Sequence, residues 1–336
     1  MKAVACLEPL PIDDPRSLID VELPDPVPTG RDLLVRVHAV SVNPRDVKSR
    51  QAAAATADAP LVLGYDACGV VERAGPDAAL FKPGDEVFYA GVINRPGSNA
   101  ELQRVDERIV GRKPGSLDHA TAAALPLTAL TAWEMLFDRL GIAAQGAPAG
   151  ATVLILGGAG GVPSIAIQLA RRAGLTVIAT ASRPESQAWV RELGAHHVID
   201  HHQPLDDQIA QLPVGAVDYV FSTHTSQAVC NQVAKVMAPQ GRFGLIDDPG
   251  PLDLRVFKTK SISIHWEAMF TRPLFHTADM TRQHEILNEV AALADAGLLR
   301  ATATRNLGKI DAQNLRRAHA LIETGRTVGK IVLAGF

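Results

Sequence analysis

At residues 152–173 a short apolar run, TVLIL, passes directly into Gly157-Gly158-Ala159-Gly160-Gly161-Val162-Pro163 and then into an amphipathic stretch. No other feature restricts the fold as much. Four successive apolar residues after Thr152, without alternation, suit a strand buried on both faces, as in a parallel sheet covered by helices. Glycines after such a strand let the backbone turn sharply and approach a ligand closely. The helix that follows adds free amide N–H groups and the positive end of its dipole, the combination that holds a pyrophosphate. A glycine-rich turn alone could equally be a tight connection. Here strand signals recur at 176–180, 197–199, 217–221 and 242–246, with helical stretches at 185–193 and 227–237 between several of them. Alternation of this kind predicts a doubly wound parallel sheet of five strands, a Rossmann-type dinucleotide fold.

The turn departs from the usual glycine fingerprint at one point. Gly158 and Gly160 are in register, but Pro163 stands where a third glycine would allow close packing of helix on strand, so the helix is expected to be pushed slightly outward. A missing N–H costs little in a first helical turn, where that donor has no intrahelical partner. The amides of Gly160, Gly161 and Val162 are expected to remain available. The second strand ends in Thr180-Ala181-Ser182-Arg183, with no acidic residue to hold a ribose 2′-hydroxyl. A hydroxyl and a guanidinium there suit a 2′-phosphate, so Ser182 and Arg183 point to NADPH rather than NADH; the plainer reading makes them solvated loop residues.

A chain of 336 residues exceeds one core of roughly 250–300 residues and should form two lobes. The segment before the glycine turn reads differently from it. Short β-rich runs at 33–42 and 68–72 alternate with Pro/Gly punctuation, then an alanine-rich helical texture begins near 120. After residue 260 come a β-like SISIHW, helices near 282–296 and 312–324, and a terminal KIVLAGF strand. A net charge of -3 with no Lys/Arg-rich run gives no field for nucleic acid or an anionic membrane. No run approaches the ~20 apolar residues of a membrane span, and the N-terminus is broken by acids and prolines before a signal core could form. The three scattered cysteines, Cys6, Cys68 and Cys230, form no CxxC pair, which suits a reducing cytoplasm.

In order along the chain stand SVNPRDVKSR from Ser41, LGYDACGVVERAG from Leu63, KPGDEVFYAG from Lys82, ALPLTALTAWEML from Ala124, LGGAGGVPSIAIQLAR from Leu156, and GKIVL near the end. This series, spanning nearly the whole chain, resembles the medium-chain dehydrogenase/reductase superfamily, specifically its quinone-oxidoreductase branch and the zinc-type alcohol dehydrogenase-like proteins within it. The resemblance implies an α/β architecture: a chaperonin-10-like, β-rich catalytic domain from residues 1–124 and 261–336, with a Rossmann NADP-binding domain inserted at 125–260. It implies an active site in the interdomain cleft and a homodimer paired across the cofactor domains, with SISIHW at or near the dimer edge.

Zinc-dependent relatives hold the metal as a Lewis acid through Cys, His and sometimes Glu. By the resemblance, the cysteine position here is Asn43, the histidine of the GHE motif is Tyr65, and its acidic neighbour is Asp66. The four-cysteine structural zinc lobe is also missing, so no metal is expected. An acceptor must then be electrophilic already, as quinones and enones are, and a hydrogen-bond donor would stabilise charge developing on its oxygen. Lys48, after the NPxD segment, is the first candidate for touching the cofactor or polarising the acceptor; otherwise it is a solvated loop lysine. Tyr65 is a candidate donor or proton relay. Asn43 lines the same cleft or holds the turn before Pro44. The resemblance makes Asp46 a structural anchor and places Thr128 near the nicotinamide, with helix packing as the alternative. Trp266 and Phe270 are either a substrate wall or core. The expected activity is an NADPH-dependent reduction of a quinone or enone. Its rivals are a non-catalytic NADPH-binding redox sensor or structural protein and a zinc-dependent alcohol dehydrogenase.

Overall fold

The computed structural model describes residues 1–56, 59–144 and 146–336. In chain order the N-terminal part contains β1 (Lys2–Cys6), β2 (Ile19–Glu22), β3 (Asp32–Val42), α1 (Pro44–Gln51), β4 (Leu61–Val62), β5 (Ala67–Ala74), β6 (Glu86–Tyr89), β7 (Leu102–Asp106), β8 (Val110–Arg112), α2 (His119–Ala122) and α3 (Pro126–Trp133). A π-helical turn, Glu134–Arg139, continues α3. Then follow β9 (Thr152–Ile155), α4 (Gly161–Arg172), β10 (Thr176–Thr180), α5 (Pro184–Glu192), β11 (His197–Ile199), α6 (Leu205–Ile209), β12 (Val217–Ser222), α7 (Gln227–Val236), β13 (Met237–Leu245) and β14 (Ser263–Trp266). The chain closes with α8 (Thr271–Phe275), α9 (Arg282–Asp295), β15 (Ala303–Asn306), α10 (Ala312–Glu323) and β16 (Lys330–Ala334).

Two compact units result, Met1–Leu130 with Phe270–Phe336, and Thr131–Met269. In the first, β3 is the organising strand. Its eleven residues, DLLVRVHAVSV, are apolar enough to be buried along nearly the whole length, so it can sit inside a sheet rather than at an edge. It pairs antiparallel with β5, β7 and the C-terminal β16, where Ile331 faces Val42, and so ties the two chain ends together. Side chains from β3, β5, β6, α10 and β16, among them Val35, Val40, Val71, Tyr89, Leu315 and Leu333, form its core. The apolar helical stretch His119–Arg139 has the length and hydropathy of a membrane span, yet most of its apolar window is buried in protein, as in a core helix.

The second unit is a parallel sheet in the order β11-β10-β9-β12-β13-β14. From the central β9 the chain first builds outward to β10 and β11, then returns to place β12 on the other side of β9. The strand order therefore reverses between β9 and β12, the point beside which dinucleotides bind at the carboxyl ends of the strands. The sheet has six strands where five were expected. Ser263–Trp266 pairs in parallel with β13, so this stretch extends the sheet beyond the expected boundary at residue 260. Its four residues were too short a pattern to assign from sequence to either unit.

Candidate functional site

The glycine turn sits at the carboxyl end of β9. Gly157 has φ +71, a left-handed conformation that favours glycine, and its N–H donates to Thr180 Oγ1 at 2.9 Å. A Cβ on Gly158 would stand 3.0–3.1 Å from Val190, Ala179 and Thr180, so this glycine provides the close packing of turn against strand. The N–H groups of Gly158 and Gly160 are both engaged, donating to Thr180 O and Gly157 O at 2.9 Å. The sequence expectation of a free Gly160 amide is therefore corrected: the tight turn consumes it. Gly161 and Val162 open α4, where first-turn N–H groups have no intrahelical acceptor and face outward along the helix axis. Pro163, buried in the same turn, removes a donor that the helix does not use. This is a cradle suited to a dinucleotide pyrophosphate, built from Gly161 and Val162.

Ser182 and Arg183 follow β10 at the same end of the sheet, both half-buried, with Arg183 as the N-cap of α5. On the other side of the switch point, Ser222 and Thr225 hydroxyls meet at 2.9 Å and Thr225 Oγ1 donates to Asp247 at 2.7 Å, ordering the loops after β12 and β13. Thr223 Oγ1 donates to Leu156 O at 3.1 Å, against the glycine turn. None of these polar loop residues carried a sequence signal beyond general polarity.

In the first unit the inherited metal-ligand positions form a different structure. Asn43 is the N-cap of α1 and only 1% exposed. Its Nδ2 donates to Asp66 Oδ2 at 2.9 Å, while its Oδ1 accepts from the ammonium of Lys330. Asp66, fully buried, accepts from Ser41 Oγ (2.9 Å), Leu127 N (2.7 Å) and Lys330 Nζ (3.1 Å) as well. Four donors converge on one carboxyl group, the pattern of an ionised acceptor. Burial pushes the Asp66 acid upward, and the Lys330 charge and these hydrogen bonds oppose that shift. Lys330 also donates to Val42 O at 3.1 Å, joining β16 to β3. Both ends of the Asn43 side-chain amide are thus engaged in this buried network, at the start of α1. Sequence reading missed Lys330, although it lies in the quoted GKIVL motif.

Helix α1 is fixed at both termini. Asp46 reaches back to accept from Asn43 N at 2.7 Å, an N-terminal capping contact, and buried Arg50 pairs with Glu323 of α10. Burial pushes the Asp46 carboxyl up to about 7 despite that bond and the Lys330 charge. Lys48 lies on the exposed side of the anchored helix. Tyr65 is buried, with its phenol oxygen 3.2 Å from Ser49 Oγ and its ring edge-on to Phe270 at 5.5 Å. Burial raises its pKa above the ordinary phenol value, keeping the hydroxyl protonated and able to donate. Structure therefore brings Asn43, Lys48 and Tyr65 around one helix, with only Lys48 exposed. The buried Thr128 hydroxyl donates to Ala124 O (3.2 Å) and Leu125 O (3.0 Å) in the preceding turn. Phe270 contacts Tyr65, while Trp266, 56% exposed on β14, lies in the other unit.

These donors do not fit a zinc ion. A zinc site of the dehydrogenase type needs thiolate or imidazole ligands. Here an amide and a carboxylate are spent on each other and on a lysine ammonium, beside a protonated phenol. Among the described residues, the group with metal-ligand proximity is Asp200, His201 and His202, neighbours in sequence on a largely exposed stretch of the other unit.

Comparison with known proteins matches residues 29–124 to the family model "Alcohol dehydrogenase GroES-like domain" and 193–333 to "Zinc-binding dehydrogenase". The chain is 41% identical over 338 residues to a zinc-type alcohol dehydrogenase-like protein of Staphylococcus aureus (strain COL), covering 99% of both. It is 32% identical over 334 residues to a mitochondrial NAD(P)H oxidoreductase of Mus musculus, covering 90% of this chain and 81% of that one. Among solved structures it is similar to a putative zinc-dependent alcohol dehydrogenase protein from Rhizobium etli CFN 42 (57% identity, TM-score 0.96, covering 100% and 98%). It is also similar to the quinone oxidoreductase from Coxiella burnetii (28%, TM-score 0.80, covering 100% and 99%).

Proposed function

Since this chain belongs to the medium-chain dehydrogenase/reductase superfamily and is an oxidoreductase of its zinc-type alcohol dehydrogenase-like group, we propose that it reduces a quinone or an α,β-unsaturated carbonyl with NADPH and without a catalytic metal. One observation carries this reading. The positions that would bind zinc are occupied by the Asn43–Asp66–Lys330 network, which offers neither thiolate nor imidazole. Lacking a Lewis acid, the site suits an acceptor whose own conjugation makes it electrophilic. The similarity to a quinone oxidoreductase agrees with that choice.

Reduced nicotinamide, when bound, supplies the hydride. Gly161 and Val162 hold the pyrophosphate through their amides, and Gly158 packs the turn tightly enough to bring them there. Ser182 and Arg183 receive the 2′-phosphate, the guanidinium by a charge-assisted bond. Lys48 polarises the acceptor oxygen as electron density moves onto it. The protonated phenol of Tyr65, held by Ser49, is the candidate proton donor that completes the reduction. The free, buried cysteines accord with a cytoplasmic protein, and the open edge of β14 with Trp266 exposed accords with a homodimer. Sedimentation velocity tests the second point.

Incubation of the purified protein with NADPH and a panel of quinones and enones, followed by loss of reduced-nicotinamide absorbance, tests the activity. Turnover of at least one acceptor, insensitive to chelator and without stoichiometric zinc, is expected. Cofactor binding without turnover on any acceptor would instead identify a NADPH-binding sensor. Stoichiometric zinc with chelator-sensitive alcohol oxidation would establish a zinc dehydrogenase.

A further inference from the structure

Directly after β14 comes Glu267, 3% exposed, whose Oε2 accepts from Arg139 Nε at 2.7 Å. Glu134, fully buried, opens the π-helical turn, and its Oε2 lies 4.0 Å from Arg139 Nη2, so two buried carboxyl groups converge on one guanidinium. Such π turns gather at functional sites. Two buried carboxyl groups that share one guanidinium cannot both be ionised cheaply, so the pair favours keeping one proton. With it, the trio Glu134–Glu267–Arg139 is neutral. Without it, the trio carries one negative charge. The neighbouring charged and titratable groups are Asp138 in the same turn, Arg242 on β13, whose Nη1 donates to Leu140 O at 2.5 Å, and His265 on β14. Burial, then the Arg242 and Arg139 charges, pushes the His265 imidazole below its ordinary pKa.

The position of this trio is what gives it a role. The glycine turn follows β9 and Ser182–Arg183 follows β10, so pyrophosphate and adenosine ribose belong to the β9–β10 half of the sheet. The carboxyl ends of β12, β13 and β14 are left for the nicotinamide, and Glu267 is the first residue beyond β14. Oxidised nicotinamide carries one positive charge that the reduced ring lacks.

Resting on the dinucleotide-binding reading above, we propose that Glu134 and Glu267 are positioning residues of the nicotinamide half of the site. Their shared proton is released to solvent when the oxidised cofactor binds, so that the protein discriminates the two redox forms in a pH-dependent way. Burial, then the Glu134 charge, pushes the Glu267 acid well above the ordinary carboxylate range, the direction that lets the pair keep the proton this exchange requires.

Calorimetric titration of the whole protein with NADP⁺ and, separately, NADPH, from about pH 6 to 10 and in two buffers of different ionisation enthalpy, tests it. The ratio of NADP⁺ to NADPH affinity should rise roughly tenfold across that range, the equivalent of one pKa unit, with net proton release on NADP⁺ binding alone. Glu267→Gln, which keeps the shape and loses the titrating proton, should bind both forms and show a flat ratio; Glu134→Gln should do the same. A ratio independent of pH in the unmodified protein, or an unchanged slope in a folded Glu267→Gln, overturns the proposal while leaving the cofactor assignment standing. Binding of neither dinucleotide would bring down both. Should the variants not fold, the proton count on the unmodified protein still decides.

Discussion

Lys330→Met removes an ammonium from a carboxylate that has no access to water. Lys330 and Asp66 side chains are 3% and 0% exposed, and the lysine also serves Val42 O and Asn43 Oδ1. Taking one partner from a buried pair leaves an uncompensated charge and costs about 3–5 kcal/mol. For a unit of this size each kcal/mol lowers the melting temperature by about 2–4 °C, so a fall of roughly 6–20 °C is expected. Thermal unfolding followed by circular dichroism reads this directly. The loss should ease in acid, because without Lys330 the Asp66 acid lies still further above its unfolded value. Its favourable contribution is then complete below the unfolded value and is lost as pH rises through the folded one. In a double-mutant cycle with Asp66→Asn, a coupling of at least about 2 kcal/mol should appear. A Lys330→Met cost below about 1 kcal/mol, or strict additivity with Asp66→Asn, would show that the ammonium does not hold this network together.

Replacing Ser182 and Arg183 together by alanine should weaken NADPH roughly tenfold to a hundredfold, the worth of a charge-assisted bond, with NADH little changed; equal losses in a binding titration would refute the phosphate assignment. Lys48→Ala should lower kcat by roughly 10²-fold with a smaller effect on cofactor affinity, and unchanged steady-state kinetics would leave Lys48 a surface residue. The Asp46 carboxyl, raised from 3.8 to about 7, contributes stability that is complete at acid pH and lost as pH rises through that window. Asp46→Asn should flatten that part of the stability profile, and an unaltered urea-denaturation profile would contradict it.

The strands and helices around the glycine turn could be read from the chain because their patterns are local. An apolar run buried on both faces, then glycines, then a 3.6-residue period is legible without any partner. Thr176–Thr180 and His197–Ile199 are observed at the bounds their residues predict. The ordered motifs also established the family. What they could not disclose was which side chains meet. Lys330 and Asn43 are separated by nearly the whole chain, and their contact exists because β16 pairs with β3. That pairing seats Asn43 in a buried polar network, and similarly the tight turn takes up the Gly160 amide and the preceding helical turn the Thr128 hydroxyl. The convergence of Glu134 and Glu267 on Arg139 likewise required the sixth strand to lie against the π-helical turn. Sequence by itself determined the cofactor-binding architecture and the loss of thiolate and imidazole at the old metal positions, since those are properties of residue type and local period. Tertiary structure decided which polar groups remain free to act, because hydrogen-bond saturation and desolvation depend on neighbours brought from far along the chain.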